Sequence, residues 1–148
     1  MKQIIFLSLM DTQKSHWNRS RKGFQALDLS DGQPKVLYIL RMKNGCVQKD
    51  LAKACDIKPS SMTVLLDGLE KKGLIKRVQT KVCGGKRAFQ IYLTEEGLIM
   101  AEKVYLLMDC IEEEAFEGIT EQEKEQLFSL LRRVKDNLDR ATAKGEEQ

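Results

Sequence analysis

The chain has 148 residues, 42% of them hydrophobic, which predicts a single domain with an apolar core and excludes a disordered tail. Its net charge of +3 conceals an uneven distribution. Residues 41–87 carry twelve Lys or Arg against four Asp or Glu, whereas residues 95–148 carry seven against fifteen. Because a local excess of positive charge attracts polyanions, the middle of the chain is predicted to contact one.

The cysteines and the single histidine favour neither a metal site nor an enzyme. Cysteines 46, 55, 83 and 110 show no C-x-x-C spacing, so we predict no metal and no cofactor. His16, beside Trp17, has no acid–base or nucleophilic partner in the pattern, so no catalysis is predicted. A chain of this length needs no disulfides, which favours a reducing cytoplasm. The short apolar start predicts an amphipathic helix rather than a signal peptide or a membrane span.

Three helices are predicted next along the chain. Ser30 and Gln33 have capping-box spacing at the start of "SDGQPKVLYILRMK", and Asn44-Gly45 ends that helix. A short helix in "VQKDLAKACDI" follows. Pro59 then suits the first position of "PSSMTVLLDGLEKKG", which shows apolar residues at helical spacing and ends at Gly73.

Two strands and two long helices complete the pattern. "LIKRVQT" and "AFQIYLT" are predicted to form a β-hairpin whose tip is the basic stretch "KVCGGKR". Thr94 is a predicted N-cap of a long helix, and Thr120 with Glu123 forms a second capping box that opens the last one. These last two helices carry more apolar residues than a small domain covers, which predicts burial against a partner chain in a homodimer.

A short helix, a turn, a second helix and a basic hairpin are the order of a winged helix-turn-helix. The predicted fold class is therefore mostly α with a small β-hairpin wing (α+β). Ser60, Ser61 and Thr63 are short polar side chains near the start of the second helix, where they let the backbone approach base edges and phosphates. Residues 71–87 hold seven basic and no acidic residues: Lys71, Lys72, Lys76, Arg77, Lys81, Lys86 and Arg87. The joint pattern favours duplex DNA over a merely solvated basic face.

Three segments together resemble the multiple-antibiotic-resistance regulator (MarR) family of transcription factors. They are "LSDGQPKVLYIL", "VQKDLAKACDIKPSSMTVLLDGLEKKGLIKR" and "GKRAFQIYLTEEG". The resemblance covers roughly residues 29–97. It implies one chain over residues 1–148, with a DNA-binding lobe at 30–95 and interlocking dimerisation helices at 1–28 and 96–142. It also implies a sequence-specific regulator, predicted to be a repressor, on a palindromic operator.

The resemblance assigns roles to particular residues. It implies that Pro59, Ser60, Ser61 and Thr63 open a recognition helix in the major groove. Arg87 matches the family's wing arginine, which reaches into the minor groove, and Lys86 is its basic neighbour. The full set of predicted DNA contacts is Pro59, Ser60, Ser61, Thr63, Lys71, Lys76, Arg77, Lys81, Lys86 and Arg87.

The chain departs from the family pattern at three positions. Gly85 stands where the family usually has an acid that pairs with the wing arginine. Val64 and Gly68 stand where many relatives have arginines on the recognition helix. DNA contact is therefore predicted to depend more on Lys71, Lys76, Arg77 and the wing. An interior glycine also costs a helix about 1 kcal/mol relative to alanine.

Three further hypotheses concern how the protein is regulated and what it binds. The family implies a small-molecule effector, aromatic or phenolic, between the dimer helices and the DNA-binding lobe. Candidate ligand residues are His16, Trp17, Tyr38, Met42 and Tyr105, for which core packing is the alternative. Cys83 lies between Lys81 and Lys86, so a thiol-based redox sensor of the same fold is a second hypothesis. A winged-helix module for protein or RNA contacts is a third, and no membrane partner is predicted.

Overall fold

The computed structural model describes residues 4–146, so the first three residues of the predicted 1–28 segment lie outside the described part. Its helices are α1 (Ile5–Ala26), α2 (Gln33–Met42), α3 (Gln48–Cys55), α4 (Pro59–Lys71), α5 (Glu95–Ala115) and α6 (Glu121–Glu146). Its strands are β1 (Ile75–Lys81) and β2 (Arg87–Leu93). The predicted fold class is confirmed. The chain divides into two compact units, with the boundary between Ile111 and Glu112.

The core of the first unit lies between α2, α3, α4, β2 and α5. Its fully buried side chains include Val36, Leu37, Leu40, Leu51, Met62, Leu66, Leu69, Ile91 and Val104. On α4 the buried residues Met62, Leu66 and Leu69 recur at helical spacing, so the opposite face of this helix remains in solvent. The helix-turn-helix is therefore fixed from behind by the core.

The two strands form an antiparallel hairpin in which Ile75 pairs with Leu93 and Lys81 with Arg87. The segment before α3 extends this sheet. Gly45 N donates to Ile91 O at 2.8 Å, and Ile91 N donates to Cys46 O at 2.9 Å. The sequence predicted only the end of a helix at Asn44-Gly45, because a local pattern carries no signal for pairing with residues some 45 positions away. This pairing joins the start of α3 to the wing.

In the first unit, one predicted helix cap forms completely and the other forms only in part. Thr94 Oγ1 accepts a hydrogen bond from Gly97 N at 3.0 Å, which confirms the N-cap of α5. A Cβ on Gly97 would lie 1.8 Å from Leu74 O, so only glycine permits this close approach. Ser30 N donates to Gln33 Oε1 at 3.0 Å, yet α2 begins at Gln33, so only one half of that predicted box forms.

The second unit contains the last helix. Thr120 N donates to Glu123 Oε2 at 2.8 Å and Glu123 N donates to Thr120 Oγ1 at 3.3 Å, so both halves of the predicted capping box are present. The apolar stripe of α6 is exposed within this unit: the exposed fractions are 64% for Phe128 and 56% for Leu138. No residue within α6 is buried.

Within residues 4–146, no helix is long and apolar enough to cross a membrane. Over the same residues, no group of three or more His, Cys, Asp or Glu side chains is arranged to hold a metal ion. The four cysteines, all inside this range, form no disulfide.

Candidate nucleic-acid interface

The start of α4 presents the side chains predicted to enter the major groove. Pro59 occupies the first helical turn, where its missing N–H leaves no unpaired donor. Ser60, Ser61 and Thr63 are exposed, while Met62 between them is buried. The first turns of the helix are thus held by their apolar side and offer small polar groups and Val64, 69% exposed, to solvent. Further along, Asp67 and Glu70 are half-exposed.

Thr63 is already engaged in two hydrogen bonds. Its hydroxyl donates to Pro59 O one turn earlier at 3.1 Å. The same oxygen accepts a hydrogen bond from Gln48 Nε2, the first residue of α3, also at 3.1 Å. Gln48 was absent from the predicted site, because a single glutamine in "VQKDLAK" carries no signal without knowledge of how α3 packs on α4.

The wing carries three exposed cations, Lys81, Lys86 and Arg87, at and beside its tip. Val82 N donates to Lys86 O at 2.9 Å and closes the turn. Gly84 and Gly85 adopt φ of +84° and +73°, which glycine adopts without the steric cost that a Cβ brings. Residue 85, where the family usually has an acid, is therefore a glycine in a left-handed backbone conformation.

The remaining predicted DNA contacts differ in how available they are. Lys71 and Lys76 are exposed. Arg77 is only 17% exposed in its side chain and lies against α4, where it pairs with Asp67 and Glu70. In the protein without DNA, two carboxylates therefore pair with its charge. The number of basic residues in the sequence could not reveal this pairing.

Lys72, a member of the same basic run, serves the fold. Its Nζ donates to Gln33 Oε1 at 3.0 Å and also to the carbonyl of Asp28. The end of α4 is thereby fastened to the α1–α2 turn.

The predicted ligand residues fall into two places. His16 and Trp17 line a cavity of about 430 Å³ between α1 and the start of α2, together with Arg21, Phe24 and Lys35. Tyr38, Met42 and Tyr105 do not line it. The sequence alone could not show that the first two residues line a cavity and the other three do not, because this depends on how the helices pack.

The two tyrosines form a cluster of their own. Tyr38 and Tyr105 stack with ring centroids 6.2 Å apart. Arg41 lies 4.0 Å from the Tyr105 ring centroid, with its Nε 2.8 Å from Glu102 Oε2. Met42 is 57% exposed. This cluster joins α2 to α5, which favours the packing alternative for the two tyrosines.

The cysteines are in unlike surroundings. Cys83 is exposed at the wing tip. Burial raises the pKa of the Cys46 and Cys55 thiols above the ordinary value, which disfavours the reactive thiolate at both. Cys110 on α5 is exposed as well, so exposure separates Cys83 and Cys110 from the other two, and only Cys83 lies on the wing.

Known proteins of the MarR family are similar to this chain in sequence and in fold. Residues 29–81 match the model of the MarR family. A MarR-family transcriptional regulator from Silicibacter pomeroyi is 27% identical, with 87% of this chain and 86% of that chain covered and a TM-score of 0.70. MepR from S. aureus, in a complex with DNA, is 26% identical, with 93% and 99% covered and a TM-score of 0.74. A MarR-family protein from Listeria monocytogenes, in a complex with a 26mer DNA, is 25% identical, with 93% and 90% covered and a TM-score of 0.77.

Proposed function

We propose that the chain is a MarR-family transcriptional regulator that binds duplex DNA sequence-specifically as a homodimer. One observation carries the proposal: the start of α4 exposes the small polar side chains Ser60, Ser61 and Thr63, and the wing carries Lys81, Lys86 and Arg87 in solvent. Such a helix fits the major groove, while exposed cations on a hairpin reach the backbone or the minor groove. The DNA complexes of the S. aureus and Listeria relatives support the same assignment.

The proposed dimer rests on exposed apolar surface in both units. In the first unit, α1 exposes Phe6 at 62% and Met10 at 52%. In the second, α6 exposes a stripe that includes Phe128 and Leu138. Contiguous apolar patches on a helix are usually covered by another chain, and in a twofold dimer each patch meets its symmetry copy or its complement. We therefore assign dimerisation to segments 1–28 and 96–142 and DNA binding to 30–95.

We further propose repression that a small molecule relieves. A dimer bound at an operator occupies the duplex and excludes other proteins from it. The cavity next to α1 combines the rings of Trp17 and Phe24 with the cations Arg21 and Lys35. Apolar walls with a few polar groups are typical of sites for small aromatic ligands, and a phenolate or carboxylate would suit the cations. The proposed place of action is the cytoplasm, with no membrane partner and no catalytic role.

A salt titration of DNA binding tests the proposal. We expect a steep loss of affinity with salt and a twofold-symmetric footprint on the operator. Arg87→Ala should flatten the log–log slope by about one unit, while Lys103→Ala, an exposed lysine on α5, should leave it unchanged. A shallow slope in the wild type, or tighter binding to RNA than to duplex DNA, would contradict the proposal.

A further inference from the structure

Gln48, at the start of α3, lies beside the recognition helix and shares a hydrogen bond with Thr63. We propose that Gln48 reads a base pair in each operator half-site, with a preference for A·T, and that Thr63 is its positioning residue. The inference rests on the proposed function, because it requires that α4 enters the major groove.

Hydrogen-bond capacity assigns the reading role to Gln48 rather than to Thr63. A hydroxyl has one hydrogen and two lone pairs. Thr63 uses its hydrogen on Pro59 O and one lone pair on Gln48 Nε2. One lone pair remains, so Thr63 is an acceptor only and would have to break its bond to Pro59 to donate to a base.

Gln48 keeps a donor and an acceptor side by side. Only one of the two Nε2 hydrogens is needed for Thr63, which leaves the second hydrogen and Oε1. Adenine presents an acceptor, N7, next to a donor, the N6 amino group, in the major groove, and a glutamine amide matches both. A guanine at the same place offers two acceptors, O6 and N7, and would leave Oε1 without a donor.

The surroundings restrict how far Gln48 can move. Leu51, Ala52 and Cys55 are buried, so the backbone of α3 is fixed on the core. The segment just before Gln48 is paired with β2 through the Val47–Gln90 bridge. The bond to Thr63 then holds the side chain toward α4, so little rotamer freedom is lost when a base is bound.

Competition binding with every single-base change in the operator half-site tests the proposal. We expect the wild type to prefer A·T at one position per half-site, and Gln48→Ala to lower that preference about 5- to 150-fold there alone. Gln48→Glu, which offers acceptors only, should move the preference at that position toward cytosine. Thr63→Val, which removes the acceptor and keeps the shape, should weaken the same preference.

Lys49→Ala is the matched control, because this neighbour is exposed on α3 and its ammonium only donates, so it lacks the adjacent donor and acceptor that match adenine. It should lower affinity for all sequences by the same factor. If Gln48→Ala also lowers affinity uniformly, with unchanged base preferences, the glutamine is a structural or phosphate contact and the inference is wrong. If the wild type itself gives no symmetric footprint, it is the proposed function that fails.

Discussion

Arg77 on β1 donates a hydrogen bond to the Asp67 carboxylate on α4, and its Nε lies 3.2 Å from Glu70 Oε2, one turn further along the same helix. The Nε is buried and the contact to Glu70 lacks hydrogen-bond geometry, so that second pair is an ion contact only. Two carboxylates thus surround one cation at the junction of wing and recognition helix. The pairing positions β1 against α4 and neutralises Arg77.

Arg77→Ala should therefore affect stability more than DNA electrostatics. We expect it to lower the free energy of unfolding by about 1 to 2 kcal/mol, because both carboxylates are half-exposed and screened by solvent. The salt slope of operator binding should stay close to that of the wild type. Lys76→Ala, the exposed neighbour, should do the reverse: a slope smaller by about one unit and little change in stability. Urea denaturation and a salt titration of both variants measure the two effects. A full unit of slope lost in Arg77→Ala would show that the arginine leaves its carboxylates for a phosphate.

A charge on the α6 stripe should disrupt the dimer without unfolding the helix. Phe128→Glu places a carboxylate at a position that is 64% exposed within its own unit, so local packing loses little. In a dimer interface the same carboxylate would be buried without a partner, which is strongly unfavourable. We expect sedimentation velocity to show a monomer at micromolar concentration, with helix content retained. Arg133→Glu, a charge reversal on the same helix, is the control and should remain dimeric. A wild type that is already monomeric would remove the basis for assigning α1 and α6 to dimerisation.

Peroxide treatment should leave operator affinity unchanged. Cys83 is exposed at the wing tip, and residues 75–93 contain no second cysteine that could capture a sulfenic acid as a disulfide. The first oxidation product, a sulfenic acid, would stay in solvent at the wing tip, where it causes no disulfide-driven change in the hairpin. Affinity is measured before and after oxidation in the wild type and in Cys83→Ser. A reversible loss of binding confined to the wild type would instead support the thiol-sensor hypothesis.

The capping box of α6 should make the second unit sensitive to acid. Hydrogen bonds from Thr120, first from its backbone N–H and then from its hydroxyl, lower the pKa of Glu123 below its ordinary 4.5. A lowered folded-state pKa stabilises the folded form above about pH 4.5, and this contribution is lost as pH falls through the folded-state pKa. NMR titration of the Glu123 side chain should show the lower value, and Thr120→Ala should bring it part of the way back, since the backbone donor remains. An ordinary value in the wild type would mean that the box does not form in solution.

Most features that could be predicted from the sequence depend on local residue patterns. The positions of Pro59, Thr94 and the Thr120–Glu123 pair were predictable because capping chemistry depends on residues within one helical turn. What could not be predicted depends on contacts between distant segments. The carboxylates that engage Arg77 lie on another element, and the pairing of Gly45 with Ile91 spans 46 positions. The role proposed for Gln48 likewise depends on the packing of α3 on α4, which brings its side chain to Thr63.

Gly68 lies inside α4, close to the side chain of Gln33. Gly68 was predicted to cost α4 about 1 kcal/mol relative to alanine. The structure gives a reason for its presence, since a Cβ at this position would lie 2.8 Å from Gln33 Nε2. Gln33 is 3% exposed, and its Oε1 accepts hydrogen bonds from Ser30 N and Lys72 Nζ, so the amide is not free to move aside.

A double-mutant cycle separates the two effects. In the wild type, Gly68→Ala should bring no gain in the free energy of unfolding, because displacement of the Gln33 amide offsets the better helix propensity. In a Gln33→Ala background, which is itself destabilised by the loss of two hydrogen bonds, the same change should stabilise by about 1 kcal/mol. Thermal or urea denaturation of the four proteins gives the coupling free energy directly. Equal gains in both backgrounds would show that Gln33 yields without cost and that Gly68 is not needed for the packing of α2 against α4.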